Sequence, residues 1–364
     1  MAKIHLVYPS GPRISTPDAI GRNLALQLRE RFSYEVILHK WSSAEIILPN
    51  AGDVLIGHPH PYPKTCFRLS LRQPGWKRIL ALGPYNHGDG VQVAFYESFI
   101  RRCNLYLAIT GNYWFDSISR SPFAHWRPKM RHLDLAVDRN DFPILKHKFN
   151  PPGQRQFVYI GHSGWTKNPR FLEKIAQRMP NVHFSWIGAA RRRHLAGFHH
   201  FGYQDFSTTA AKQLISTFDF MITTSKSDAN PTTILEAMAW GLIPVSTPQS
   251  GYIGYPGIRN IPLEIVKTVE ILQELQHIPD TALREMQLEN WQALDMHFNW
   301  DHFTQQIVNA IESNANPSIP SLPFHRWLMI HYLILISPHS PLRTWVITNK
   351  LTRLILNTLR REKA

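Results

Sequence analysis

Two carboxylates eight positions apart, Asp228 and Glu236, bracket the stretch of this chain best suited to chemistry. Between them run Asn230, Pro231, Thr232 and Thr233. That order predicts a helix start, because Asn is a favoured N-cap and Pro is preferred at the first helical position. The first helical turn leaves backbone N–H groups without intrahelical partners, and such groups attract phosphate. Thr232 and Thr233 add hydroxyls at the same place. An ionised carboxylate only accepts hydrogen bonds, so Asp228 and Glu236 suit the hydroxyls of a sugar or ribose and not a phosphate. Phosphate and polyol recognised at one helix start point to a sugar nucleotide.

The elements that position these groups are legible in the hydrophobic pattern. Residues 234–240 read as a compact helical run, Gly241 as its stop and residues 242–246 as a short buried strand. Upstream, strands are predicted over 4–8, 35–39, 53–57, 78–82, 105–109 and 131–137. An amphipathic helix over 17–31 carries Ile20, Leu24 and Leu28 on one side. Residues 146–155, with a Pro-Pro-Gly turn, read as a linker. The pattern then restarts, with strands at 157–160, 182–187 and 218–223 and helices at 169–179 and 210–216. Such alternation predicts an α/β chain of two doubly wound parallel domains facing a cleft, and such sheets take ligands at the carboxyl ends of their strands. The expected division is a first domain over 1–145, the linker, a second over 156–300, a closing helix over 301–318 and a tail over 319–364.

Composition narrows the class. With 43% apolar and 18% charged residues, 364 residues suit two globular domains. Cys66 and Cys103 show no disulfide or metal-site spacing, and no Cys/His or carboxylate cluster in the sequence reads as a ligand set. The expectation is therefore a reducing compartment, no cofactor and no metal. A strand begins almost at once and no run of eighteen apolar residues occurs, so neither a leader peptide nor a membrane span is expected. The charge is uneven: net +9 over 1–150, −1 over 151–318 and +6 over 319–364. That asymmetry suggests an anionic partner such as a membrane surface or a lipid-linked acceptor. Nucleic acid is not expected, because no recognition motif accompanies the charge.

The segment from Asp228 through Glu236-Ala-Met-Ala-Trp-Gly-Leu-Ile-Pro-Val245 resembles the donor-binding motif of glycosyltransferase family 4, retaining enzymes of the GT-B fold, in which two acids flank seven residues. Here the first acid is Asp instead of Glu, and one extra residue precedes Pro244. Three further segments resemble that family in the same order. Val158-Tyr-Ile-Gly-His-Ser-Gly-Trp-Thr-Lys167 is similar to its strand–Gly-Arg–Lys loop, with His162 in place of Arg. Residues 133–142 are similar to its Gly-Val-Asp segment, and Phe298-Asn-Trp300 to the opening of its closing helix.

The resemblance implies a hexosyl transfer from a nucleotide-sugar donor to a glycan or lipid-linked acceptor, with retention and without a bound metal. Lys167, with Gly161 and His162, is then expected at the diphosphate, where an ammonium offsets charge developing on the leaving group. Asn230, Thr232 and Thr233 join it, Glu236 takes the ribose hydroxyls, and Asp228 takes hydroxyls of the transferred sugar. Gly11 lies in the first strand–helix loop, which in that family approaches the donor phosphate and acceptor. A histidine beside the reacting sugar is best matched by His87, with His58 and His60 as competitors in the preceding loop. His162 lacks the bidentate fork of Arg, so donor affinity or its pH dependence should depart from the family norm. Alternatives are a catalytically inactive GT-B scaffold that binds a membrane or partner, and another GT-B chemistry such as nucleotide-sugar epimerisation.

In the tail, residues 325–336 are apolar but too short to span a bilayer, and residues 341–361 suit an amphipathic basic helix. Trp327 and Trp345 suit a headgroup boundary. These features favour interfacial attachment, and hence a cytoplasmic or peripheral location on the inner membrane face; packing on the protein's own body is the other reading.

Overall fold

The computed structural model of the chain describes residues 3–11, 15–190 and 194–337. Twelve strands occur among them: β1 (Lys3–Val7), β2 (Glu35–His39), β3 (Val54–Gly57), β4 (Arg78–Pro84), β5 (Leu105–Ile109), β6 (Met130–Leu133), β7 (Phe157–Ile160), β8 (Phe184–Ile187), β9 (His199–His200), β10 (Phe220–Thr223), β11 (Ile243–Ser246) and β12 (Arg259–Asn260). The helices that bear on the site are, in chain order, α1 (Thr16–Glu30), α2 (Cys66–Ser70), α3 (Asn112–Asp116), α4 (Thr232–Trp240), α5 (Asp280–Met296), α6 (Trp300–Glu312) and α7 (Phe324–Ile336).

The strands form two six-stranded sheets, ordered β2-β1-β3-β4-β5-β6 and β12-β11-β10-β7-β8-β9, with every pairing parallel. Parallel strands covered on both faces read as continuous apolar runs, and β3, β5, β7, β8, β10 and β11 are buried along their whole length. Strand order reverses between β1 and β3 in the first sheet and between β7 and β10 in the second. A parallel sheet opens a crevice beyond its carboxyl ends at such a reversal. The two crevices supply the opposite walls of the functional site.

Several sequence expectations shift in detail. The predicted strand over 131–137 pairs only as far as Leu133. The 146–155 segment, expected as a linker, is drawn in at the start of β10. Lys146 and Arg155 are buried within it, Lys146 pairs with the buried Asp219 at 3.0 Å, and Asn150 N–H donates to the same carboxylate at 2.8 Å. Asp219 terminates the approach to β10 and must be satisfied, so it draws the segment inward.

Helix α6 starts at Trp300, where the Asn299 side chain caps it by accepting from His302 N–H at 2.8 Å. It returns to the first half and packs along α1, where the Tyr34 hydroxyl donates to Glu312 at 3.1 Å. Helix α7 then buries Ile330 against the core of the first sheet while Phe324, Trp327, Leu328, Tyr332 and Leu335 stay exposed. No helix among the described residues is long and apolar enough to cross a membrane. The tail helix expected over 341–361 lies outside the described residues.

Candidate functional site at the meeting of two sheets

Helix α4 begins one residue later than the sequence suggests. Pro231, in extended conformation, holds the N-cap position and Thr232 opens the helix. Asn230 does not cap it: its Oδ1 accepts from the Tyr252 hydroxyl, which is fully buried and needs an acceptor there. The first turn of α4 therefore has no capping side chain among the described residues. The Asn230 amide nitrogen is buried and has no hydrogen-bond partner among them either. An unsatisfied buried donor is costly, and a ligand oxygen would remove the cost. Gly241 ends α4 at φ +89°, the left-handed conformation that glycine adopts freely.

A cavity of about 400 Å³ opens between the sheets. From the second sheet it is lined by Lys167, Asp228, Asn230, Thr232 and Thr233. Tyr8 and His58 line it from the first. Lys167 follows β7 and Asp228 follows β10, so the reversal point brings together residues 61 positions apart as an ion pair between Nζ and Oδ2. Both side chains keep about one-fifth of their surface exposed, toward the cleft.

Glu236 lies one helical turn beyond Thr232, within reach of its hydroxyl. Burial pushes its carboxyl up to about 7, and the Thr232 hydrogen bond opposes the shift. Burial thus favours the protonated form of this acid in the free protein. Gly161 ends β7 at φ +149°, where a Cβ would meet the Tyr159 hydroxyl at 2.9 Å. His162 Nδ1 accepts from the Gly164 backbone N–H at 2.9 Å, which places the proton of the neutral ring on Nε2.

The three candidate histidines of the first half occupy different settings. His58 lines the cavity, and its Nδ1 is buried with no partner among the described residues. Burial, helped by neighbouring His60, lowers its pKa to about 4, so the ring is neutral. His87 has both nitrogens within reach of hydroxyls, Tyr85 at 3.3 Å and Ser117 at 3.5 Å, and its ring stands edge-on to Trp114 at 4.9 Å. Burial lowers it to about 4 as well, but it is not among the residues that line the cavity. His60 packs against Trp41 at 4.7 Å in an adjoining groove that also contains Gly11 and shares Tyr8 and His58 with the cavity. The Gly11 N–H donates to Asp18 at 2.7 Å, so this amide is held by the first turn of α1.

No sequence signal marks the seam that seats the halves against each other. Gly111 N–H, just ahead of α3, donates to the Ala229 carbonyl at 2.7 Å, and the Trp114 indole donates to the Asp228 carbonyl at 2.7 Å. Asn112 exchanges two hydrogen bonds with the Ile253 backbone, and Ser227 donates to Asn86 at 2.5 Å. A Cβ on Gly111 would meet the Gly251 carbonyl oxygen at 2.1 Å, so only glycine permits this approach. The backbone carrying Asp228 is thus fixed from the first half.

No family model and no curated protein sequence matches the chain. Solved structures do. A sucrose-phosphate synthase from Thermosynechococcus elongatus superposes with a TM-score of 0.61 at 11% identity over 85% of this chain and 98% of its own. The fold is GT-B. The catalytic domain of starch synthase IV from Arabidopsis thaliana, bound to ADP and acarbose, gives 0.60 at 9% identity, covering 85% and 98%. Anabaena HepE, in complex with UDP and glucose, gives 0.55 at 14%, covering 86% and 100%. A GT-B chain places its two reversal points face to face across a cleft, as β1/β3 and β7/β10 are placed here.

Proposed function

We propose that this protein transfers a sugar from a nucleotide-sugar donor to an acceptor hydroxyl. One observation carries the reading: a single cavity lined by Lys167, Asp228, Asn230, Thr232 and Thr233 on one side and by His58 on the other. The GT-B neighbours add support, since one was solved with UDP and glucose and another with ADP and acarbose.

In this proposal the donor exchanges the free protein's internal pairing for its own. The diphosphate takes Lys167 from Asp228, and the vacated carboxylate accepts from hydroxyls of the transferred sugar. The Thr232 and Thr233 amides, the Asn230 amide nitrogen and the His162 Nε2–H complete the anion's contacts. Ionised Glu236 accepts from the ribose hydroxyls. Lys167 then offsets the charge that grows on the leaving diphosphate as the glycosidic bond breaks, so the transfer needs no divalent ion at that place. His58 Nδ1 accepts from a hydroxyl of the sugar or the acceptor. The transferred group is a hexose and its anomeric configuration is retained, as the family resemblance implies.

The acceptor is proposed to be lipid-linked or polysaccharide and to be met at an anionic membrane surface. The exposed apolar face of α7, with Trp327 on it, and the basic first half support this. A screen of UDP-, GDP- and ADP-sugars for nucleotide release, with a lipid acceptor offered and Glu236→Ala alongside, tests the reading. Release from one donor, lost in the variant, supports it. Absence of release together with no donor-induced rise in melting temperature overturns it in favour of an inactive scaffold.

A further inference from the structure

At the outer edge of the first sheet, residues far apart in sequence converge on a different kind of site. His39 ends β2, Glu45 lies in the loop that follows, and Cys66 opens α2. The three offer one ligand atom each, and these atoms all lie within 4.8 Å of one another. Cys66 is fully buried, His39 nearly so, and Glu45 reaches in from the surface.

The hydrogen bonds behind His39 fix which nitrogen faces the cluster. Asp53, almost fully buried, accepts backbone N–H groups from Lys3 and Asn50, both at 2.8 Å, and lies 3.2 Å from His5 Nε2. A carboxylate in that setting accepts, so the His5 proton sits on Nε2 and its Nδ1 is an acceptor. His5 Nδ1 lies 3.0 Å from His39 Nε2, so one of the two donates to the other, and the tautomer in which His39 Nε2 donates leaves its Nδ1 as the acceptor. In that tautomer His39 Nδ1, 3.6 Å from Glu45 Oε1, turns its lone pair toward the cluster. The imidazole nitrogen, the carboxylate and the buried thiol thus converge on one point that a cation could occupy. A histidine ligand whose second nitrogen is held by a carboxylate-anchored chain is the usual support of a metal site.

We propose that His39 Nδ1, the Glu45 carboxylate and the Cys66 thiolate bind a borderline-soft divalent cation of the zinc class. Imidazole, carboxylate and thiolate together select such an ion over magnesium or calcium. Tetrahedral bond lengths of about 2.0–2.3 Å require the ligand atoms to close by roughly an ångström, which the exposed Glu45 side chain can supply. Binding releases the Cys66 proton to solvent. A water or a ligand group would take the fourth position. The ion would tie the loop carrying Trp41 and Glu45 to β2 and α2, and so fix one wall of the groove that contains Gly11 and His60. The inference is independent of the transfer reaction.

The test uses the full-length protein, stripped with a chelator and titrated with Co²⁺. A thiolate-to-cobalt charge-transfer band in the near ultraviolet, saturating at one equivalent, is expected. It should vanish in Cys66→Ser and persist in Cys103→Ser. Glu45→Gln, a change at an exposed side chain that leaves the fold intact, should weaken binding about tenfold or more. Cobalt bound without the band, the band surviving in Cys66→Ser, or unchanged affinity in Glu45→Gln would each overturn the assignment.

Discussion

The two walls of the cavity differ in the kind of polarity they offer. The wall from the second sheet carries charge, Lys167 paired with Asp228, and Glu236 lies behind it within hydrogen-bond reach of the lining residue Thr232. The wall from the first sheet is built of a neutral imidazole, with burial holding His58 near 4. A nucleotide diphosphate needs compensating charge, whereas a hydroxyl acceptor needs a neutral partner that does not compete for protons. In the proposed reaction the contrast puts donor and acceptor on opposite sheets, an arrangement that can be broken from either side.

The largest effect should come from the charged wall. Lys167→Ala should lower kcat by about 10²–10³-fold, because it removes a cation from developing diphosphate charge. A loss confined to KM would show that Lys167 serves ground-state binding only. Next, Glu236→Gln should raise the donor KM about 10–100-fold, the worth of hydrogen bonds to a charged group. Donor affinity of the parent protein should fall as pH drops through about 7, where Glu236 takes up its proton; the variant should lose this dependence.

The same residue sets a stability signature. The Glu236 carboxyl is raised from its ordinary 4.5 to about 7 in the folded chain, so its stability contribution is fully present below 4.5 and is lost as pH rises through 7. Glu236→Gln should therefore raise the melting temperature at pH 8 and leave it unchanged at pH 4. An equal shift at both values would trace the effect to packing.

On the neutral wall, His58→Ala should cost about tenfold in kcat/KM, the worth of one ordinary hydrogen bond, while His87→Ala should stay within about threefold. The reverse ranking would mean that the halves move enough during turnover to bring His87 into the cavity. The smallest effect on chemistry and the clearest on stability belongs to the seam. Gly111→Ala should destabilise the protein by on the order of 1–3 kcal/mol, since its Cβ has no room beside Gly251. Thermal unfolding unchanged by this substitution would show that the halves are not held together there.

Most of the charged wall was legible in the sequence because Asp228, Thr232 and Glu236 follow a local pattern on one strand–helix unit, with Lys167 in a second local pattern after β7. The fold was legible for a related reason: buried parallel strands are continuous apolar runs. The N-cap assignment failed at Asn230 because a distant residue, Tyr252, claims its side chain. His58 stood among three candidates because its distinction is an unfilled nitrogen in a cavity, which spacing does not encode. The cluster of His39, Glu45 and Cys66 escaped the sequence altogether, since its members come from three separate elements.

The path of the chain has a consequence for how the protein is made. The first sheet is complete once residue 133 has been synthesised, yet two of the helices that cover its half, α6 and α7, begin at residues 300 and 324. On the ribosome, the apolar surfaces later sealed by Ile330 and by the α6–α1 contact stay open until the second sheet has been translated. The first half is therefore the last to be finished, and nascent chains arrested between residues 140 and 300 should be the ones that need a chaperone's cover.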